Sequence, residues 1–116
     1  MYLGIDLGPS GVKAILLSEE GKVIASHGEP LQVNRPHPLW SEQDPASWWR
    51  ATDAAVLALG QKHSLSNVRA VGLTGQMHGA TLLDKQQNIL RPAILWNDGR
   101  TTEETDYLNN EIGKET

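Results

Sequence analysis

Between two short apolar runs, Tyr2 to Leu7 and Val12 to Leu17, the chain has only four residues, Gly8, Pro9, Ser10 and Gly11. Parallel pairing needs a crossover of a dozen residues or more, so a four-residue link leaves only an antiparallel turn-back. Gly and Pro are the residues that such a turn takes. Ser18, Glu19, Glu20 and Gly21 give a second turn signal, and Lys22 to Ser26 follows as a third strand. The chain therefore opens on a three-stranded meander, and everything after it has to pack on that sheet.

Residues 28 to 43 carry Gly28, Pro30, Pro36 and Pro38 among few apolar positions and read as an extended loop. Asp44 before Pro45 predicts a helix start, with a carboxylate at the N-cap and proline at the first helical position. Trp48, Thr52, Ala55, Val56 and Leu59 fall on one face at helical spacing, and His63 stands near the end that favours a cation. Val68 to Leu73, Ala80 to Leu83 and Ala93 to Trp96 read as three further strands, with a polar turn at Asp84 to Asn88. Thr101 and Glu104 have capping-box spacing, which predicts a last helix with a thin apolar face of Leu108 and Ile112. This order of elements predicts an α/β fold with a mixed β-sheet and flanking helices.

Composition removes several functions. The chain has 116 residues and a net charge of −4, which argues against general attraction to nucleic acid or an anionic membrane. A phosphate-bearing ligand would have to be held by local backbone N–H groups and metal. Cysteine is absent, which removes disulfides, thiolate chemistry and Cys-ligated zinc. No apolar run approaches the ~20 residues of a membrane span, and no basic stretch leads into an apolar run at the start. The expectation is a cytoplasmic protein with neither nucleic-acid nor membrane partners.

Three groups of residues carry candidate chemistry. In Asp6-Leu7-Gly8-Pro9-Ser10-Gly11-Val12-Lys13, a carboxylate ends a strand, two glycines frame a tight turn, and a lysine lies just beyond. Successive turn N–H groups make an anion nest, and a carboxylate beside it suits a hydrated Mg²⁺ ion that bridges phosphates. The competing reading is a hairpin in which Asp and Gly serve backbone geometry alone. Gly75-Gln76-Met77-His78-Gly79 follows a strand directly, at a sheet end where α/β proteins bind ligands. Gln76 and His78 both donate and accept, which suits vicinal hydroxyls; a Gly-flanked turn with a solvated Gln is the alternative. Trp96-Asn97-Asp98-Gly99-Arg100 brings a ring, an amide, a carboxylate and a guanidinium to another strand end. Trp96 can face a sugar's C–H surface, and Asp98 either holds hydroxyls or caps the next helix and pairs with Arg100. Asp44, Trp40 and Trp48 read as structural: a cap, packing under the loop, and core.

"GIDLGPSGVKAILL" resembles the first phosphate loop of the actin and sugar-kinase superfamily, whose ribonuclease-H-like domains open on a hairpin of this kind. "GQMHG" resembles the substrate loop of the FGGY carbohydrate kinase family in its xylulokinase branch; glycerol kinases carry Arg-Glu where this chain has Met77-His78. "RPAILWNDGR" resembles the family's WxDxR segment beside the sugar pocket, and "PLWSEQDPASWW" resembles the xylulokinase entry into the first helix. One departure stands out. Pro9 occupies a place where the family usually has Thr or Ser, and it offers neither N–H nor hydroxyl. Either one phosphate contact is missing, or the donors lie at Ser10 and Gly11.

The resemblance implies a ribonuclease-H-like, actin-like ATPase fold, partial here: residues 1–116 as the N-terminal part of the first actin-like domain, with the second domain absent. It implies ATP and Mg²⁺ as cofactors, with Asp6 positioning the metal and phosphates and Gly8, Ser10, Gly11 and Lys13 lining the nucleotide site. It implies D-xylulose or a related ketose as substrate, held by Met77, His78 and Gln76, with Trp96 and Asp98 framing it. The catalytic base and most of the adenine site would lie in later parts of the protein, so this segment alone is expected to be inactive. A homodimer is compatible with the full-length protein. The other readings are an FGGY kinase for a different ketose or polyol, and a non-catalytic actin-like fragment with a binding role.

Overall fold

The computed structural model describes residues 1–113. The opening hairpin forms as its short link requires. Strand β1 (Tyr2–Leu7) pairs antiparallel with β2 (Gly11–Leu17), placing Leu3 opposite Leu16, Ile5 opposite Ala14 and Leu7 opposite Val12. Strand β2 pairs antiparallel with β3 (Val23–Pro30). That strand runs past Ser26 through Gly28 to Pro30, residues expected in a loop. It is the outermost strand of its sheet, and a proline at an edge strand's last residue breaks no ladder.

A short strand β4 (Glu42–Gln43) precedes helix α1 (Pro45–Lys62). The Asp44 side chain accepts from the Ala46 N–H at 3.0 Å, Pro45 opens the helix, and the helix closes with the His63 N–H donating to the Leu59 carbonyl at 3.0 Å. Strand β5 (Ala70–Gly75) then returns parallel to β1, giving a mixed sheet in the order β3-β2-β1-β5. It starts two residues later than the apolar pattern suggests. Val68 instead closes a turn onto the Leu65 carbonyl and packs against the core.

Sheet and helix bury one face against each other. Leu3, Val12, Ala14 and Leu16 from β1 and β2 meet Ala51, Ala55 and Leu59 from α1. Ala55 and Leu59 lie on the helix face expected from the spacing; Ala51 joins them one turn earlier, while Trp48, Thr52 and Val56 sit half-buried at its margins. Alternation along β2 puts Lys13, Ile15 and Leu17 on the other face, which no described helix covers.

Beyond β5 the pattern is less faithful. Ala80–Leu83 does not form a strand; only isolated bridges, Ala80 to Ile94 and Leu83 to Ile89, mark the place. The expected turn is there, with Asp84 Oδ1 accepting from the Gln86 and Asn88 N–H groups at 2.9 and 2.8 Å. Strand β6 (Ala93–Ile94) is two residues long and pairs antiparallel with β4, so part of the long loop is strand after all. Helix α2 (Thr102–Tyr107) begins at the expected place, but the Thr101 side chain caps nothing, and a π-helical turn follows over Leu108–Ile112. Leu108 and Ile112 are both exposed, as a thin apolar face without a partner would be. The accessible surface is 8241 Å², where a compact folded chain of this mass exposes about 6,200 Å². Among the described residues no helix is long and apolar enough to cross a membrane.

Candidate functional site

Strands β1 and β5 run parallel as neighbours, with Asp6 opposite Thr74 and Leu7 opposite Gly75, so the loops that leave them depart side by side. Between those loops opens a cleft of about 390 Å³. One wall is Asp6, Leu7, Gly8 and Pro9; the other is Gly75, Gln76, Met77 and His78; Trp96, just after β6, completes it. This volume is in the range of small-molecule sites, and the carboxyl ends of strands are where open α/β sheets bind ligands. Two segments nearly seventy residues apart in sequence are thus brought to one place by parallel pairing.

The walls are open and chemically mixed. Met77 is 70% and Trp96 61% exposed, so neither is taken up by the core. His78 holds a left-handed backbone with φ of 64°, a conformation that costs a non-glycine residue of order 1–3 kcal/mol and gathers at functional sites. The Asp6 carboxylate meets no hydrogen-bond or ion-pair partner among the described residues.

The two glycines of the first turn differ in what they answer to. A Cβ on Gly11 would stand 2.8 Å from the Glu29 carbonyl oxygen, so the close approach of β3 demands glycine there. A Cβ on Gly8 would stand 3.5 Å from the Gly11 carbonyl oxygen, an ordinary contact, and its φ is not left-handed. The fold does not require glycine at position 8. What Gly8 does leave is bare backbone on the cleft wall.

The other expected nucleotide residues lie next door. Ser10, Gly11 and Lys13 line a groove with Ser26, His27, Gly28, Glu29 and Lys62. Lys13 also stands directly opposite Asp6 across the hairpin, and both border a hollow on the uncovered sheet face with Gly4, Ile15 and Gly72. Asp6 is therefore shared between the cleft and that hollow, whereas Ser10 and Gly11 face away from the cleft.

Asp98 does not line the cleft. Its side chain is 1% exposed, and its oxygens accept from the Ser41 N–H at 2.5 Å, from Arg100 Nη2 at 2.7 Å, and from Arg100 Nε and N–H at 2.9 Å each. The Arg100 side chain is the main reason its carboxyl lies well below the usual carboxylate range; burial opposes this, and the Ser41 N–H adds to it. Arg100 in turn lies over the Trp40 ring at 3.7 Å and reaches Glu42 at 3.4 Å, and Glu42 also pairs with Arg91. The expectation that Asp98 holds substrate hydroxyls is thus corrected: its lone pairs are committed to fastening the 96–100 segment to Ser41. Pairing with Arg100 is present, while capping of α2 is not.

Sequence reasoning passed over Gln43. It is fully buried, its Nε2 donates to the Pro9 carbonyl at 2.8 Å, and its Oε1 accepts from Trp48 Nε1 at 2.7 Å and Gln76 Nε2 at 3.1 Å. The only sequence signal was a polar residue just ahead of a helix cap, which is ordinary on a surface.

The whole of residues 1–116 matches the profile of the FGGY family of carbohydrate kinases, N-terminal domain. The chain belongs to that family. Among curated FGGY relatives, the xylulose kinase of Escherichia coli is 64% identical over 112 residues, covering 97% of this chain and 23% of that protein. The xylulose kinase of Klebsiella pneumoniae is 65% identical over the same span. Of solved structures, the xylulose kinase from Rhodospirillum rubrum superposes with a TM-score of 0.90 at 34% identity, over 98% of this chain and 24% of that one. The xyloylose kinase from Brucella ovis does so with 0.91 at 49% identity, over 97% and 24%. The chain spans about a quarter of the length of the relatives it matches. The fold is the actin-like one of FGGY kinases, a mixed sheet with flanking helices, as the opening hairpin and its resemblance led us to expect.

Proposed function

We propose that this chain is the N-terminal part of the first actin-like domain of an ATP-dependent kinase that converts D-xylulose to D-xylulose 5-phosphate. The observation that carries the reading is the shared cleft: the Asp6–Pro9 turn and the Gln76–His78 loop face each other across about 390 Å³, with Trp96 beside them. In this reading the first wall meets the nucleotide phosphates and the second meets the sugar. Met77, His78 and Gln76 hold the ketose, and Trp96 offers its ring to the C–H face. Such proximity is the main thing a phosphoryl-transfer site has to supply. The sugar 5-hydroxyl oxygen bonds to the γ-phosphorus as the bond to the β-phosphate oxygen breaks; the hydroxyl proton passes to a base outside residues 1–116.

Asp6 fits a Mg²⁺ ion that arrives with the nucleotide. No group of three or more His, Asp or Glu side chains able to hold a metal occurs among the described residues, and Mg²⁺ bound through phosphates and water needs only one or two carboxylates. The ion supplies charge neutralisation on the phosphates. Gly8 leaves room for close approach, and Lys13, Ser10 and Gly11 would meet only those parts of the nucleotide that pass round the hairpin. The large uncovered surface supports the view that a longer chain completes the domain. A ketose as the partner, a cytoplasmic location and a full-length homodimer belong to the same reading.

The test is a graft: residues 1–116 replace the matching stretch of the E. coli xylulose kinase, and ATP-dependent phosphorylation is measured over a panel of ketoses and polyols. The highest kcat/KM is expected for D-xylulose, and residues 1–116 alone should turn over none. A folded graft that prefers a polyol, or that phosphorylates no sugar, overturns the reading.

A further inference from the structure

We propose that Gln43 is a positioning residue that ties the two walls of the cleft to each other through the polarity of its amide. Four separate segments meet at this side chain. Besides the contacts to Pro9, Trp48 and Gln76, its Nε2 lies 3.4 Å from the Gln32 carbonyl. Both N–H donors point to acceptors, and both lone pairs of Oε1 receive donors. A buried amide with its whole hydrogen-bonding capacity used is a specified element, since a half-satisfied one would cost more than an apolar side chain of the same size.

The orientation of this amide follows from its partners. The carbonyls of Pro9 and Gln32 can only accept, and the indole N–H of Trp48 can only donate, so Nε2 and Oε1 of Gln43 cannot exchange places. Its oxygen in turn obliges Gln76 to present its amide N–H, which leaves Gln76 Oε1 as the buried acceptor without a partner among the described residues. Gln43 thus sets which end of Gln76 is free. The backbone of Gln43 adds the third component. It pairs with Ala93 in β6, three residues before Trp96. One residue accordingly fixes the carbonyl of Pro9 on the first wall, the amide of Gln76 on the second and the strand that delivers Trp96. Proline at position 9 suits this arrangement, because the contact uses its carbonyl and needs no N–H.

The assignment of one wall to nucleotide and the other to sugar rests on the kinase reading; the tie itself does not. The experiment therefore has two arms, both on the graft into the E. coli kinase. In the first, amide hydrogen exchange is followed at Gly8, Ser10 and Gly11 and at residues 75–79. Gln43→Met keeps the length of the side chain and removes every side-chain hydrogen bond; exchange should quicken at least several-fold in both segments. Gln43→Glu keeps the shape and the acceptors for Trp48 and Gln76, but a carboxyl, ionised or neutral, offers at most one donor where the amide offers two. Its exchange should quicken at the hairpin and stay near wild type at 75–79, and this variant decides the matter if Gln43→Met does not fold.

In the second arm, Gln43→Met should raise the KM for ATP and for sugar each by about three- to ten-fold, the worth of one lost hydrogen bond. Gln43→Glu should raise the KM for ATP alone. Leu59→Val, a core change remote from the cleft, serves as the control for general loss of stability. If the Gln43 variants behave like Leu59→Val, with a lower Tm but unchanged exchange at both segments and unchanged KM values, the proposal is wrong. A graft without kinase activity sinks the functional reading and leaves the exchange arm to decide the role of Gln43.

Discussion

Strands β2 and β5 are the two neighbours of β1, and both are short apolar runs, yet they end in opposite surroundings. In β2, Val12, Ala14 and Leu16 are at most 1% exposed, because α1 lies over them and a strand flanks each side. In β5 every residue is exposed: Val71 by 54% and Leu73 by 77%. Leu73 sits beside Ile5 in register, on the face that carries the core, but α1 does not reach that far across the sheet. The burial of a strand residue is therefore decided by what covers it.

The largest contrast should be in stability. Leu16→Ala removes a fully buried side chain from under α1 and is expected to cost about 2–5 kcal/mol. Leu73→Ala in residues 1–116 should change stability by no more than about 0.5 kcal/mol, as exposed substitutions do. Denaturant unfolding of the two variants checks this. A cost for Leu73→Ala approaching that of Leu16→Ala would mean that β5 is covered in solution.

Next come the two glycines of the first turn. Gly11→Ala pushes a Cβ to 2.8 Å from the Glu29 carbonyl and should cost about 1–3 kcal/mol in overpacking. Gly8→Ala meets nothing closer than 3.5 Å and should melt near wild type, while raising the KM for ATP in the grafted kinase. Equal melting losses with an unchanged KM would return Gly8 to a purely structural role.

His78→Ala sharpens the division between the walls. It should raise the sugar KM by roughly ten-fold, equivalent to one hydrogen bond of about 1–1.5 kcal/mol, and leave the KM for ATP within two-fold. The reverse pattern would exchange the assignments of the two loops.

The last effect is a pH dependence confined to the acid side. Because the Arg100 side chain holds the Asp98 carboxyl below its ordinary value, the folded state favours the ionised form. That stabilisation is complete above the unfolded pKa of about 4 and is lost as pH falls from there through the folded value. Melting curves between about pH 5 and pH 2 should therefore fall more steeply for the wild type than for Asp98→Asn, which has no such proton to gain. Parallel curves would show that the pair is not linked to folding.

Much of this molecule was legible in its residues. The four-residue link fixed an antiparallel hairpin, Asp44-Pro45 fixed where α1 begins, and the sequence around Met77-His78 pointed to the second wall. These are local matters, in which steric limits on a turn or a free N–H at a helix end leave few alternatives. Apart from the cap expected of Thr101, the failures were non-local. Ala80–Leu83 has the composition of a strand but no continuous partner to pair with. Glu42 and Gln43 look like loop residues but become a strand because Ala93–Ile94 comes to lie beside them. Asp98 and Arg100 were legible as a pair, but only the arrival of the Ser41 N–H, 57 positions away, fastened that pair inward, while Asp6 lines the cleft. What the sequence by itself determined was therefore each turn, cap and strand run whose geometry a few adjacent residues dictate. What only the tertiary structure decided was which polar groups met, since a hydrogen bond between residues thirty to sixty positions apart depends on pairing and packing that no short stretch of chain encodes.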